Sequence, residues 1–85
     1  MNRQVSLPSK SLARLRVGDK AILDRFELSE EISLRLMQMG MIPGCEVEAA
    51  HVAPAGDPTV YRVDGTEIAL RRETCLGILI RNENP

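Results

Sequence analysis

The chain has 85 residues, of which 44% are hydrophobic and 27% charged, and its formal net charge at pH 7 is −1. This length suits a single domain with one modest core and little room for a deep catalytic cleft. The near-neutral charge, with Phe26 and Tyr61 as the aromatic residues, argues against nucleic-acid binding, which needs a basic surface or stacking platforms.

The location of the protein is predicted from its apolar runs. None approaches the ~20 residues that cross a bilayer, so we expect no insertion into a membrane. Residues 1–11, MNRQVSLPSKS, also lack the long apolar centre of a secretory signal. We therefore expect a cytoplasmic protein in which residues 1–11 form a flexible arm, residues 12–81 form the domain, and residues 82–85 fray.

The domain is expected to begin with a short pinned segment and a strand. Leu12, Leu15 and Val17 would hold an irregular or single-turn segment against the core. After a turn at Gly18-Asp19, residues 20–26 (KAILDRF) are predicted to form the first strand. Two apolar periods overlap in it, which indicates that both of its faces are partly covered.

A helix is predicted over residues 29–39. Ser29 is a favourable N-cap, because its hydroxyl can accept from a free backbone N–H of the first turn, and two glutamates follow it at the positive end of the helix dipole. At about 100° per residue one apolar stripe is predicted to face the core. Its members are Ile32, Leu36 and Met39.

The end of this helix and the start of the next strand are predicted from glycine and proline. Gly40 suits the left-handed residue that ends a helix, with Met41 as the apolar partner of the cap. Residues 42–45 (IPGC) fit a type II turn, in which glycine supplies the positive φ of the third position. Alternation after the turn predicts a strand over residues 45–52.

The remaining elements are predicted to be short strands. Residues 59–63 and 66–70 alternate, and Asp64-Gly65 between them favours a type I′ hairpin turn. Residues 71–76 break the alternation, as a short turn or a 3₁₀ corner does, and residues 77–81 form a last strand. Five short strands and one helix are too few for a sandwich. The prediction is a mainly β fold, a small bent five-stranded barrel with one inserted helix.

Three segments carry a resemblance to a known family. Residues 35–48 (RLMQMGMIPGCEVE), 53–58 (APAGDP) and 63–73 (VDGTEIALRRE) resemble the ferrous-iron transport protein A (FeoA) family. The resemblance implies an SH3-like small barrel with an inserted helix. It also implies an accessory protein of bacterial ferrous-iron uptake, which binds and modulates the membrane transporter that carries a cytosolic GTPase domain (FeoB). Thr74 and Cys75 depart from the residues that relatives often have there.

Neither catalysis nor a bound cofactor is expected from the residues themselves. No nucleophile, base and orienting group can be named together, and a single histidine is too few for a ferrous-iron site. Cys45 and Cys75 are more typical of reduced core thiols than of a disulfide. The alternative is a metal-responsive regulatory or corepressor-like domain that uses Cys45, His51 and Cys75, although closely spaced ligand pairs are missing.

The predicted partner-binding residues are Leu34, Met37, Met41, Arg71 and Arg72. Leu34 and Met37 lie away from the predicted core stripe, so either the helix is sandwiched between the barrel and the N-terminal arm, or these residues form an adaptable docking patch with Met41. Arg71 and Arg72 either contact an anionic surface of the partner or are simply solvated. Weak self-association through the short exposed edges of strands is a further possibility.

Overall fold

The computed structural model describes residues 10–81, and within them one antiparallel sheet carries the fold. Its strands are β1 (Lys10–Ser11), β2 (Lys20–Phe26), β3 (Glu46–Val52), β4 (Thr59–Val63), β5 (Thr66–Leu70) and β6 (Ile78–Ile80). Helix α1 spans Glu30–Gln38, a one-turn helix α2 spans Arg72–Cys75, and a 3₁₀ turn spans Leu12–Arg14. The mainly β fold with one inserted helix is confirmed, and all five predicted strands are present.

The sixth strand, β1, was not predicted. Lys10 and Ser11 pair with Ile80 and Leu79 of β6, although both were placed in the flexible arm. Residues 1–9 of that arm and the expected frayed end at 82–85 lie outside the described residues. The signal was missed because two residues are too few for an apolar alternation to show.

Strand β2 joins the two halves of the sheet, because it pairs with one strand of each half. The strand order is β1-β6-β2-β3-β4-β5. Residues 20–22 pair with β3, whereas Leu23, Arg25 and Phe26 pair with β6, and the register shifts between Leu23 and Arg25. An extra residue at such a shift bends a strand and increases its twist. The sheet therefore wraps around one side of a single core.

The core is apolar, and within residues 10–81 no charged side chain is buried. It is built from aliphatic residues of every strand from β2 to β6, with Leu12, Leu36, Met41 and Cys75 from the connections. The overlapping periods of β2 are explained by this arrangement. Ala21 and Leu23 are buried in the core, while Ile22 is half-buried between them on the other face. Phe26 follows the register shift and is half-buried against the core.

A buried polar cluster lies where the two ends of the sheet approach each other. The Tyr61 hydroxyl donates to the Leu12 carbonyl at 3.5 Å and accepts from the Cys75 thiol at 3.4 Å. The Ser11 hydroxyl donates to the Cys75 carbonyl at 3.3 Å. These bonds connect β4, the 3₁₀ turn and α2. Within the described residues β1 and β5, the two edge strands, do not pair with each other, so side-chain hydrogen bonds join the ends of the sheet instead.

The ionisation of this cluster is suppressed by its surroundings. Burial, with the Cys75 hydrogen bond as the next cause, raises the pKa of the Tyr61 phenol well above its usual value. Burial also raises the pKa of the Cys75 thiol. Both groups are therefore neutral and act as hydrogen-bonded members of the core.

The predicted caps of α1 are confirmed. The Ser29 hydroxyl accepts from the Ile32 N–H at 3.2 Å. At the other end Gly40 has φ of 106° and donates its N–H to the Met37 carbonyl, while the Met41 N–H donates to the Leu36 carbonyl. These two bonds form a Schellman motif, whose apolar contact is supplied here by the buried Leu36 and Met41.

The predicted core stripe of α1 is wrong for two of its three members. Leu36 is buried, but Ile32 and Met39 are exposed, as is Val17 of the segment expected to be pinned. The side of the helix that turns inward is centred on Ser33, Leu36 and Gly40 rather than on the most apolar positions. The Schellman motif fixes the helix by its last turn, so the apolar stripe does not decide its rotation.

The turns follow the sequence. The Cys45 N–H donates to the Ile42 carbonyl at 2.9 Å, and Gly44 has a φ of 98°, as the predicted type II turn requires. Asp64 and Gly65 have φ of 50° and 81°, which matches the type I′ hairpin turn between β4 and β5.

Substituting Gly77 tests the contact between β6 and the end of β2. A Cβ at this position would collide with the Leu28 side chain and lie 2.8 Å from the Glu27 carbonyl oxygen. We expect Gly77→Ala to lower the free energy of unfolding by about 1–3 kcal/mol, because backbone must move to admit the methyl group. Leu76→Ala, at an exposed neighbour, should change it by less than about 0.5 kcal/mol. Urea denaturation measures both, and equal stability of the two variants would contradict the contact.

The single tyrosine gives a pH test of the buried cluster. The folded pKa of Tyr61 lies above the unfolded value of about 10, so the unfolded state loses its proton first. This contribution to stability is complete below about pH 10 and declines as the pH rises further. Tyrosinate absorbance should therefore appear together with the loss of β-sheet circular dichroism. In Tyr61→Phe the alkaline decline should be shallower, and tyrosinate formation in the still folded wild-type chain would overturn the assignment.

Candidate partner-binding surface

Helix α1 presents apolar side chains to solvent on two flanks. Leu34 lies on one flank and is 51% exposed. Ile32 and Met39 lie on the other flank, separated by seven residues and therefore two turns apart on one side of the helix. Exposed Ile42, in the turn after the helix, is a further apolar residue of this region. We call Ile32, Leu34, Met37, Met39 and Ile42 the helix surface.

A polar ridge separates the two flanks. Glu31, Arg35 and Gln38 are exposed along the outermost side of α1. The Arg35 guanidinium lies 3.8 Å from the Glu31 carboxylate, an exposed i,i+4 pair that adds little stability. The helix therefore has a solvated crest and apolar flanks, and only the side of Leu36 is committed to the core.

The predicted docking residues Leu34, Met37 and Met41 differ in how far their side chains are exposed. Leu34 is exposed and Met37 is half-buried, so both can contribute to a surface. Met41 cannot, and its place in the predicted patch is wrong, because it is fully buried as the apolar partner of the helix cap. Sequence reasoning missed Ile32 and Met39 because it assigned them to the core, and it overlooked Ile42 as a turn residue.

Arg71 and Arg72, the other predicted partner-binding residues, lie at the corner between β5 and α2. The Arg72 backbone N–H donates to Asp57 Oδ1 at 2.9 Å, and the Arg71 guanidinium lies 3.9 Å from Asp57 Oδ2. Asp57 belongs to the loop between β3 and β4, in which the Asp57–Pro58 peptide bond is cis. The loop carboxylate therefore fastens the corner through its backbone, while both arginine side chains remain exposed.

The three residues of the metal hypothesis are not brought together. Cys75 is buried against Tyr61, and Cys45 is half-buried just before β3. His51 is exposed near the far end of β3, opposite Val60. Within residues 10–81 no group of three histidine, cysteine, aspartate or glutamate side chains is arranged as ligands for a metal ion.

Two of the described hydroxyl groups have structural positions. Ser29 is occupied as the helix cap, and the Tyr61 hydroxyl is enclosed in the core. Exposed His51 lies on a different element from both.

Over residues 10–81 neither helix has the length and apolarity that crossing a bilayer requires.

Comparison with known proteins gives the family. The model of the FeoA domain matches residues 10–82. A sequence relative, the Fe(2+) transport protein A/Fe(2+) transporter FeoB fusion protein of Porphyromonas gingivalis, is 34% identical over 62 residues, which cover 73% of this chain and 7% of the relative. This chain therefore spans a small fraction of that protein.

Solved structures agree with the observed architecture. The solution structure of FeoA protein from Chlorobium tepidum has a TM-score of 0.81 at 27% identity, and the match covers 87% of this chain and 70% of that one. The Stenotrophomonas maltophilia FeoA complexed with zinc, described as a procaryotic SH3 domain protein, has a TM-score of 0.71 at 24% identity, over 82% of this chain and 87% of that one. The fold is thus the SH3-like small barrel that the sequence resemblance implied.

The two cysteines should differ in reactivity. Cys75 is buried and its thiol pKa is raised, whereas Cys45 is partly exposed. In the folded chain we expect iodoacetamide to modify Cys45 first, and Cys75 only after unfolding in guanidinium chloride, as followed by peptide mass mapping. Cys45→Ser should leave the native chain almost unreactive. Equal native rates at both thiols would contradict the burial of Cys75.

Proposed function

The chain belongs to the FeoA family, and from this we propose that it is a non-enzymatic accessory protein of bacterial ferrous-iron uptake. It binds the cytosolic part of the FeoB-type membrane transporter, which includes a GTPase domain, and modulates that transporter. Its place is accordingly at the cytoplasmic face of the membrane. Ferrous iron is the cargo of the transporter in this proposal, and the chain itself binds no cofactor.

The observation that carries the proposal is the fusion protein of Porphyromonas gingivalis, in which an FeoA sequence and the transporter share one chain. Linking two modules replaces a bimolecular encounter by an intramolecular one and raises their effective concentration. Such a fusion is useful when the modules act on each other. The fusion therefore supports binding between an FeoA protein and an FeoB-type transporter that are separate chains.

The helix surface supplies suitable chemistry for the contact. Exposed aliphatic side chains at the centre of an interface contribute strongly once they are enclosed by the partner. Met37 and Met39 add flexible thioether side chains, which adapt to partners that change shape, as a GTPase does during its cycle. Leu34 is the best anchor, because it is exposed and takes no part in the core or the helix cap.

The arginine corner provides a second candidate contact. Arg71 and Arg72 are exposed and adjacent, the Arg72 backbone is held by Asp57, and the Arg71 guanidinium lies 3.9 Å from the same carboxylate. Acidic side chains of a partner are the complement. Contacts of this type mainly affect the association rate and its dependence on salt.

The regulatory alternative is less well supported. A metal-responsive switch built on Cys45, His51 and Cys75 requires these side chains to converge, and the described residues hold them on separate parts of the fold. Because the requirement of the metal switch is not met in residues 10–81, we favour a protein-interaction module.

The proposal is tested with two leucines of similar exposure on different surfaces. Leu34 on α1 is 51% exposed, and Leu76 after α2 is 56% exposed. We expect Leu34→Asp to weaken binding to the purified cytosolic part of the transporter by at least about tenfold, because a buried anchor of an interface is lost. Leu76→Asp should bind as the wild type does. Calorimetry measures the affinities, and the melting temperature of each variant verifies folding.

The same samples test modulation. Addition of the full chain should change the rate of GTP hydrolysis by the transporter's cytosolic part, and Leu34→Asp should reduce this change. Equal affinities of both variants would remove the helix surface from the interface. Absence of any binding by the wild-type chain would overturn the proposed function.

A further inference from the structure

A row of alternating charges crosses the outer face of the sheet. Lys20 on β2 lies opposite Glu48 on β3, Glu48 lies opposite Arg62 on β4, and Arg62 lies opposite Glu67 on β5. The Arg62 guanidinium donates to Glu48 at 3.1 Å and to Glu67 at 3.0 Å. Its hydrogen bonds to Glu67 and then Glu48 raise the pKa of Arg62. Arg62 is therefore committed to the row.

A groove of about 460 Å³ lies along this row. Lys20, Glu48 and Arg62 form part of its floor, and the turn after α1 forms a wall through Gly40 and Ile42. Cys45, which is half-buried and packs against the core, is a further residue of the groove lining. The volume lies within the range of about 300–1,000 Å³ that is typical of ligand sites.

Two further carboxylates line the groove. Glu46 lies two residues before Glu48 on β3, and Asp64 lies two residues after Arg62. Both line the groove on the side of the turn that follows α1. Both are exposed, and neither has an ion pair or hydrogen bond with another side chain described in residues 10–81. The lining holds three carboxylates, Glu46, Glu48 and Asp64, against two cations, Lys20 and Arg62. Arg62 is shared by two glutamates, one of them Glu67 outside the groove, so negative charge is in excess in the lining.

We propose that this groove binds an extended segment of a protein partner in which a lysine or arginine adjoins an aliphatic residue. The cation would lie between Glu46 and Asp64, and the aliphatic side chain would cover Ile42, which is 52% exposed. Charge complementarity selects this occupant over an acidic one, which would meet two like charges. A bare divalent cation is disfavoured because the carboxylates do not converge as a ligand set.

This site is distinct from the proposed contact of Leu34 with the transporter, and it does not depend on the identity of that partner. Ile42 is the single residue that the groove shares with the helix surface. The aliphatic wall and the acidic end make the groove a sequence-selective site, in which the basic residue sets specificity and the apolar contact adds affinity.

Cys45 provides a built-in reporter of the groove. The probe is the acetylated, amidated peptide Gly-Leu-Lys-Leu-Lys-Gly, and the control is the same peptide with both lysines replaced by glutamate. We expect the lysine peptide to slow iodoacetamide modification of Cys45 in the 85-residue chain and the glutamate peptide to have no effect. Protection should weaken with added salt, since the ion pairs are exposed.

The carboxylates are tested by isosteric neutralisation. Glu46→Gln with Asp64→Asn keeps side-chain shape, and asparagine suits the positive φ of the turn. We expect the lysine peptide to bind roughly two- to thirtyfold more weakly to this variant, as loss of two exposed ion pairs implies. Glu73→Gln, at an exposed carboxylate outside the groove, is the matched control and should bind as the wild type does.

Three outcomes would overturn the inference: no protection of Cys45, equal protection by the glutamate peptide, or unchanged affinity of the double variant. Protection by magnesium or manganese chloride alone, at matched ionic strength and without a peptide effect, would also overturn it in favour of a cation. Binding to the cytosolic part of the transporter is measured on the same double variant. Retained transporter binding with lost peptide binding would show that the two sites are separate.

Discussion

The structure depends on one strand that pairs with both halves of the sheet. The first residues of β2 bond to β3 and its last residues bond to β6, with a register shift between them. Because the strand bends at that point, the aliphatic side chains of the other strands converge on one core in spite of the short chain. Gly77 permits the close approach of β6 to the end of β2, where a larger residue would meet backbone. The hydrogen bonds of Tyr61 then join the ends of the curved sheet.

This arrangement places α1 in the connection between β2 and β3, outside the wrapped sheet. The helix is tied to the core by Leu36 and by Met41 of its terminal Schellman motif. The rest of its apolar surface stays available. An SH3-like barrel with an aliphatic helix on its outside suits the proposed contact with another protein. The outer face of the sheet beside the helix turn adds a polar groove of different chemistry.

Much of the fold could be predicted from local patterns, because each rests on the conformation of a few adjacent residues. The serine cap, the glycine end of the helix, the type II turn and the Asp64-Gly65 hairpin turn all have the predicted geometry. The five predicted strands follow from alternation between such turns. The segments at 35–48, 53–58 and 63–73 indicated the FeoA family, and the match over residues 10–82 agrees.

What the sequence by itself determined is therefore the order of the elements, the turns between them and the family. The tertiary structure decided which side chains of the helix are free. A wheel assigns Ile32 and Met39 to the core, whereas the packing exposes both. Met41 was predicted both as the apolar partner of the cap and as a docking residue, and the packing buries it in the cap. The physical reason is that rotation of a short helix is set by its fixed end and by the shape of the sheet it meets. Likewise, the alternating row from Lys20 to Glu67 exists only through strand register, which brings residues distant in sequence into one line.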